Sequence, residues 1–387
     1  MIVDIRPVSN QKDIEAWIDV PYRTLREDPA FIPPLRFEER RRISPKSPFF
    51  RFADVRLFVA YDDAGLPVGR ISAQINRRYL DRYNNSIGHF GFFDTVDDQT
   101  VSSALITAAG DWLKMNGMRR MEGPFNLSVN EACGLLVKGF DTAPAMMMPH
   151  SGPSQPEQLE KAGLRKVIDL YSYRLWTFTP PEKIAWLADN ALSDPKITVR
   201  PFDKKRLHEE LALMVDIFND AWADNWGFVP LTVSEIEYMM QGLMPFMRGH
   251  YGKFVSVSGE PVGFVLVLPN INSIIAKFNG RLLPTNWLRL AYSLITERFD
   301  SGRMPLLGMR KAYQGSIDGA RLFAALIQYH LKDLHPYEDR YTKRGGDTKG
   351  GWIELSWVLE TNRPLVNFLK SIFGDPHKTY RIYGKDL

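Results

Sequence analysis

Residues 305–326 read PLLGMRKAYQGSIDGARLFAAL: an apolar run, a turn holding Gly315 and Gly319, then apolar residues at helical spacing (Leu322, Ala325, Leu326). A strand that passes through a glycine-rich turn into a helix is a building unit of layered α/β folds. The first turn of such a helix leaves backbone N–H groups without carbonyl partners, and the helix dipole makes that end positive. Arg310, Lys311 and Arg321 add charge of the same sign, so the turn suits a phosphate or pyrophosphate. Two residues oppose this reading. Asp318 puts a carboxylate in the turn, and Ile317 stands where a side chain crowds an incoming phosphate. A plain helix start, with Gly315 as the turn and Ser316 as the N-cap, accounts for the same residues.

Outward from this unit the chain repeats itself. Val199-Arg200-Pro201 repeats Ile5-Arg6-Pro7, and Pro261-Val262-Gly263 repeats Pro67-Val68-Gly69, both at an offset of 194 residues. Between them, NWGFVP (225–230) resembles DPAFIP (28–33). Ordered matches at nearly one offset indicate a tandem duplication, with its joint near 178–198. Each half has the same expected order. A strand (3–8; 198–202) leads to an amphipathic helix (11–26; 204–224) and two alternating strands (55–61 and 67–73; 253–257 and 261–268). A further strand then enters a long helix (87–95 and 101–115; 305–309 and 318–334), and residues 352–358 read as a closing strand. Strands alternating with helices predict an α/β protein.

Composition sets the frame. Of 387 residues, 44% are hydrophobic and 24% charged, which suffices for packed cores in more than one domain. A net charge of +4 without a basic stripe suits an anionic ligand and argues against nucleic acid as a partner. One cysteine excludes an intramolecular disulfide. The opening MIVDIRPVSNQKD lacks the apolar core of a signal peptide, and no run approaches the ~20 apolar residues of a membrane span. A cytoplasmic location is expected, and no His/Cys/Asp spacing suggests a metal.

The order of elements resembles that of the GNAT acyl-CoA N-acyltransferase superfamily, whose members place a (Q/R)-x-x-G-x-(G/A) loop between the fourth strand and the next helix. Tyr313, Gln314 and Gly315 match its aromatic-preceded form, Gly319 falls at the last glycine, and Ile317 departs from the middle one. Residues 353–375 look like the family's fifth strand, its asparagine (Asn362) and the following helix. The resemblance implies two tandem GNAT-like domains with mixed central sheets, over residues 1–178 and 198–387. It also implies acyl-CoA or acetyl-CoA as co-substrate, held by Arg310, Lys311, Tyr313, Gln314, Gly315, Ser316, Gly319 and Asn362 of the second half. The corresponding TVDDQTVSSAL (95–105) of the first half has no glycine and two aspartates, so that half is expected to lack coenzyme binding. The tyrosine that often serves the family as acid is replaced by Phe368-Leu369.

The chemistry-bearing residues concentrate in MEGPFNLSVNEACGLL (121–136). Two alignments of this region are open. One pairs Glu122 and Asn130 with Glu354 and Asn362. The other, which we favour, matches residues 155–175 to the terminal helix and strand, leaving 126–155 as an insertion. GPFNLSVNEACGLLVKGFDTAPAMMMPH and DPAFIPPLRFEERR are together similar to a bacterial, YghO-like branch of the superfamily. Some members of that branch are linked to N-acylation of sphingoid bases. Attack by an amine needs a proton acceptor beside the carbonyl. Glu131 and His150 are the leading acceptors, with Ser128 and Asn130 beside them and Asn126 expected at the acceptor. Turn-and-cap chemistry explains the same polar cluster. Cys133, inside an apolar run, reads as packing.

Two stretches exceed a minimal domain of this kind: 270–303, with apolar residues at roughly helical spacing, and 226–249, with methionines and phenylalanines close together. They wall an apolar channel or cement the halves. Residues 35–52 mix cationic and aromatic side chains, which suits a loop over the substrate mouth or a peripheral membrane contact. The resulting expectation is an N-acyltransferase acting on a small-molecule or lipid amine. A non-catalytic acyl-CoA-binding protein and an aminoacyl-tRNA-dependent transferase are the alternatives.

Overall fold

The computed structural model describes residues 3–175, 182–297, 299, 301–342 and 351–387, with 332–342 as backbone alone. Residues 176–181, within the expected joint of the duplication, lie outside the described residues.

The first half runs β1 (Asp4–Pro7), α1 (Gln11–Thr24), α2 (Arg36–Arg42), β2 (Ala53–Tyr61), β3 (Pro67–Asn76), α3 (Arg77–Tyr83), β4 (Ile87–Thr95), α4 (Gln99–Met115) and β5 (Arg120–Gly123). It closes with β6 (Leu135–Lys138), α5 (Gln155–Lys161) and β7 (Arg165–Leu175). After α6 (Glu182–Leu192), the second half repeats the order as β8 (Ile197–Pro201), α7 (Leu207–Trp222), α8 (Val233–Met240), β9 (Gly252–Val257) and β10 (Glu260–Pro269). Two added helices, α9 (Asn272–Ile275) and α10 (Asn286–Thr296), precede β11 (Ser301–Met309), α11 (Ile317–Thr342), β12 (Trp352–Leu359), α12 (Arg363–Phe373) and β13 (Lys378–Asp386). The α5–β7 pair thus repeats α12–β13, and most of residues 124–154 is inserted. The preferred alignment describes the chain.

Local chemistry explains the element ends. The Asn10 side chain accepts from the Asp13 N–H at the start of α1 while Asp13 reaches back, a capping box. Asp98 caps α4 through the Thr100 N–H. Every residue of β3 is buried, because α1 and α4 both pack against this strand.

Among the described residues the strands form one continuous sheet in the order β1-β2-β3-β4-β5-β13-β7-β12-β11-β10-β9-β8, with β6 also on β13. The order exposes an exchange. β13, from the end of the chain, lies against β5 of the first half, pairing Tyr383 with Gly123 and Asp386 with Arg120. In return, β7 lies against β12, pairing Leu175 with Ile353. The two donated strands pair with each other, and Arg381 of β13 holds Asp169 of β7 at 2.7 Å.

Both parallel pairs part early. β4 and β5 stay together only over Ile87–His89 and Arg120–Glu122, and β11 and β12 only over Ser301–Met304 and Trp352–Leu355. In the first half the gap is filled by the chain itself. The Phe125 N–H donates to the Phe90 carbonyl, and the Phe125 carbonyl lies where a Cβ on Gly91 would stand.

Candidate active site

A cavity of about 260 Å³ lies between the halves, on the α1 side of the gap between β4 and β5. Its apolar wall comes from both: Leu25, Phe31, Ile32 and Leu35 from the first, and Leu231, Met239, Leu243, Ile271 and Ile275 from the second. Met146, Met147 and Met148 of the insertion complete it. Asn126, Ser128, Asn130, Glu131 and His150 all line it. Of residues 35–52, Glu38, Glu39, Arg41, Arg42 and Phe49 do so as well. Arg36 and Arg40 of that segment are paired with Glu15, Arg40 at the surface, and Phe49 is buried.

Three of the five expected residues are occupied in shaping the loop. The Asn126 side-chain oxygen accepts from the Phe92 N–H at 2.7 Å, holding β4 where it leaves β5. Ser128 Oγ accepts from the Asn130 N–H, and Asn130 Nδ2 donates to the Val229 carbonyl of the second half. The loop is therefore tied to both halves.

Glu131 and His150 remain for chemistry. The Glu131 carboxylate is 15% exposed, and its nearest cation is Arg42 Nε at 3.6 Å. Burial raises its pKa to about 7 against the pull of Arg42, with Glu235 and Glu39 adding to the rise. Arg42 is shared with Glu39, which also receives Arg70, and Arg70 Nε donates to Asp94 at 2.7 Å. Three carboxylates and two guanidiniums thus run through the cavity wall as Asp94–Arg70–Glu39–Arg42–Glu131. Glu131, at one end, has the longest and so the weakest pairing of the four contacts.

His150 Nε2 lies 2.7 Å from Asp28 Oδ2, and its side chain is 4% exposed. Nδ1 is buried without a partner among the described residues. Burial lowers the imidazole's pKa, opposed by Asp28. With Nε2–H donating to Asp28, the bare Nδ1 is a neutral imidazole's acceptor, the state a general base requires. Asp28 is itself fixed by the Ala30 N–H at 2.8 Å. Asp28, Arg70 and Glu39 were not singled out from the sequence, whereas Asp94 was a third candidate acceptor there beside Glu131 and His150. The one available signal was Arg70, a lone charge in the apolar strand PVGRISAQIN.

Cys133 does not line the cavity. It is buried against Phe125, Leu136 and Tyr380, where burial pushes its thiol up.

Protein YghO of Escherichia coli (strain K12) is 36% identical over 387 residues, covering 99% of this chain and 95% of that protein. A tandem GNAT protein from the clavulanic acid biosynthesis pathway superposes over 100% of this chain and 98% of its own, with a TM-score of 0.55 at 11% identity. The chain belongs to the family of Protein YghO and has the tandem GNAT fold. The bacterial ceramide synthase of Caulobacter vibrioides (strain NA1000 / CB15N), 35% identical over 389 residues, covers 100% of this chain and 98% of that protein. No family profile matches the chain.

The expected coenzyme loop of this GNAT protein stands apart from the cavity: none of Arg310, Lys311, Tyr313, Gln314, Gly315, Ser316, Gly319 and Asn362 lines it. Within the loop, Gly315 takes φ +70°, and Gly319 packs so closely on the Tyr313 carbonyl that a Cβ would meet the oxygen at 1.9 Å. Ser316 Oγ caps the Gly319 N–H at 2.9 Å. The N–H groups of Gly315, Ser316, Ile317 and Asp318 have no partner among the described residues. Ile317 beside them is 78% exposed and packs on nothing among the described residues that fixes its side chain there. A pyrophosphate fits this turn. The flanking cations are engaged: Arg310 with Asp216 at 2.6 Å and Lys311 with Asp224 at 2.5 Å, both on or just after α7. Gln314 donates to the Met309 and Ala221 carbonyls, and the Asn362 side chain accepts from the Leu365 N–H, its N-cap role.

The inserted Met146–Met148 segment joins the cavity wall to the parting strands of the second half. The Met146 carbonyl accepts from Arg303 of β11, and Met148 touches Ser356 of β12, beside the point where these strands part.

Proposed function

We propose that the protein transfers an acyl group from an acyl-CoA thioester to the primary amine of a long-chain, sphingoid-type base, forming an amide. The observation that carries this reading is His150 Nδ1, a buried acceptor without a partner among the described residues, in a cavity built by both halves with a methionine-rich apolar wall. Such a nitrogen costs about 1–3 kcal/mol when left unpaired, and a substrate N–H would satisfy it. The likeness over the whole chain to a bacterial ceramide synthase supports the lipid acceptor, as does the methionine-rich wall, which suits a flexible apolar chain.

The coenzyme supplies the electrophilic carbonyl. Its pyrophosphate would lie on the N–H groups of residues 315–318, with the thioester reaching the cavity past Met146–Met148. The amine attacks, the C–N bond forms and the C–S bond breaks. His150 Nδ1 takes the proton released by the nitrogen, and Asp28 stabilises the imidazolium. Near neutral pH Glu131 is poised to hold or give up a proton. It can serve the departing thiolate in place of the tyrosine absent at Phe368. The nucleophile is the substrate's own amine, which leaves Cys133 to packing.

The test pairs palmitoyl-CoA and acetyl-CoA with sphinganine and with a short diamine, reading free thiol and the amide by mass spectrometry. Amide formed from the long-chain base supports the proposal. Thiol release with the diamine alone replaces the acceptor. Coenzyme binding without turnover on any amine sinks the enzyme reading and leaves a binding protein.

A further inference from the structure

The added helix α10 is inverted relative to ordinary surface helices, which turn a polar face to water. Its inner side packs normally, with Leu294 buried and Leu290 against the second half's core. Its outer side carries Trp287, Leu288, Tyr292 and Ile295, continued by Leu283, each between 46% and 72% exposed. Positions 288, 292 and 295 lie on one stripe, with Trp287 beside it, about 100° around the helix from Leu288. An exposed apolar patch of this kind marks an interaction surface.

Charge around the patch selects the partner. Lys277, Arg281 and Arg289 are exposed, and none has an acidic partner among the described residues. No Asp or Glu occurs between Asn270 and Thr296, and Glu297, beyond the helix, holds His250 at 3.0 Å. Unneutralised cations beside Trp, Tyr and aliphatic side chains, on a helix too short and too polar on its other residues to span, fit the headgroup region of an anionic bilayer.

Position strengthens the match. The same insertion lines the cavity through Ile271, Asn272 and Ile275. The turn before α10 is fastened to α2, another cavity element, by the Arg36 N–H donating to the Gly280 carbonyl. Phe37, next to Arg36 in α2, is a further exposed aromatic, at 42%.

We propose that α10 seats the protein on anionic lipid, with Trp287, Leu288 and Ile295 in the interface and Lys277, Arg281 and Arg289 on the headgroups. The proposal stands on the helix and its charges, independently of the reaction assigned to the cavity.

Co-sedimentation of the full chain with mixed phosphatidylglycerol–phosphatidylcholine vesicles and with pure phosphatidylcholine vesicles tests it. Binding is expected on the anionic vesicles and should weaken with salt. The double variants W287S/L288S and R281E/R289E should each bind about tenfold more weakly or worse, as expected when apolar insertion or roughly 1 kcal/mol per basic residue is lost. These residues are exposed, so melting curves should be unchanged. Wild-type protein left in the supernatant, or full binding by either variant, overturns the proposal. So does light scattering that shows a dimer which W287S/L288S dissociates, because the face would then belong to a second copy of the chain.

Discussion

At the scale of the residue, the site rests on two groups with unusual protonation. His150→Gln should lower kcat by roughly 10²–10⁴-fold, the usual worth of a positioned base, with little change in KM for the coenzyme. Asp28 acts through His150, so Asp28→Asn should cost less, about tenfold in kcat. It should also move the acidic limb of the pH–kcat profile to lower pH. Asp28 holds the imidazole's pKa up against burial, and without it the base form persists further into acid. An unmoved limb would make Asp28 merely structural. For Glu131 the prediction concerns stability. Burial raises its pKa to about 7 from the ordinary 4.5 of the unfolded chain, so between those values the native state binds a proton that the unfolded chain has lost. Stability from this group is therefore full below about pH 4.5 and is lost as pH rises through about 7. Glu131→Gln should leave stability nearly unchanged at about pH 4 and raise it by up to roughly 3 kcal/mol at about pH 8. Denaturant melts at both pH values check this, and an equal difference at both would refute it. Glu131 and His150 were legible as residue types in a polar stretch of sequence. Asp28 was not, because it meets His150 across 122 positions and no local pattern links them.

At the scale of the element, most of the chain was legible. Each half alternates strand and helix with clear caps, so the expected strands lie within a few residues of the observed ones. Charge placement was less legible. Residues 35–52 looked like a solvated cationic loop, yet Arg36, Arg40 and Arg42 are bound to Glu15, Asp19, Glu39 and Glu131. Distant carboxylates decided where those side chains went. The glycine-rich turn shows the same limit, since Arg310 and Lys311 are engaged by acids near α7 that lie far off in sequence. The binding capacity of that turn therefore rests on backbone N–H groups more than on its cations. Placing a carboxylate there should repel a phosphate without touching the core, because Ile317 points to solvent. Ile317→Glu is expected to raise KM for acyl-CoA about fivefold or more, from like charge at a helix N-terminus. It should leave the melting temperature and kcat at saturating coenzyme unchanged. An unaltered KM would remove the coenzyme from this turn.

At the scale of the whole molecule, the duplication does not yield two independent bodies. The repeat was visible in the sequence, but the exchange of closing strands was not. β7 and β13 occupy equivalent places, and either could close either half by pattern alone. Their pairing is decided by the whole sheet. The consequence is mutual dependence. Tyr380, Ile382 and Tyr383 of β13 are fully buried, Tyr383 in the core that contains β2–β4 and α4. Full burial of such side chains is worth about 1.5–3 kcal/mol each. The sum is comparable to the roughly 5–15 kcal/mol that holds a whole domain folded. Removing residues 378–387 should therefore unfold the first half, although the cut lies at the end of the second. It should loosen the second half too, because β7 then loses its partner beside β12. The intact chain should melt in one calorimetric transition, with the van't Hoff and calorimetric enthalpies equal. The shortened chain should show no protease-resistant fragment spanning either half. Two separated transitions in the intact protein, or a stable second half surviving the truncation, would mean that the halves fold alone and that the cavity between them assembles by docking.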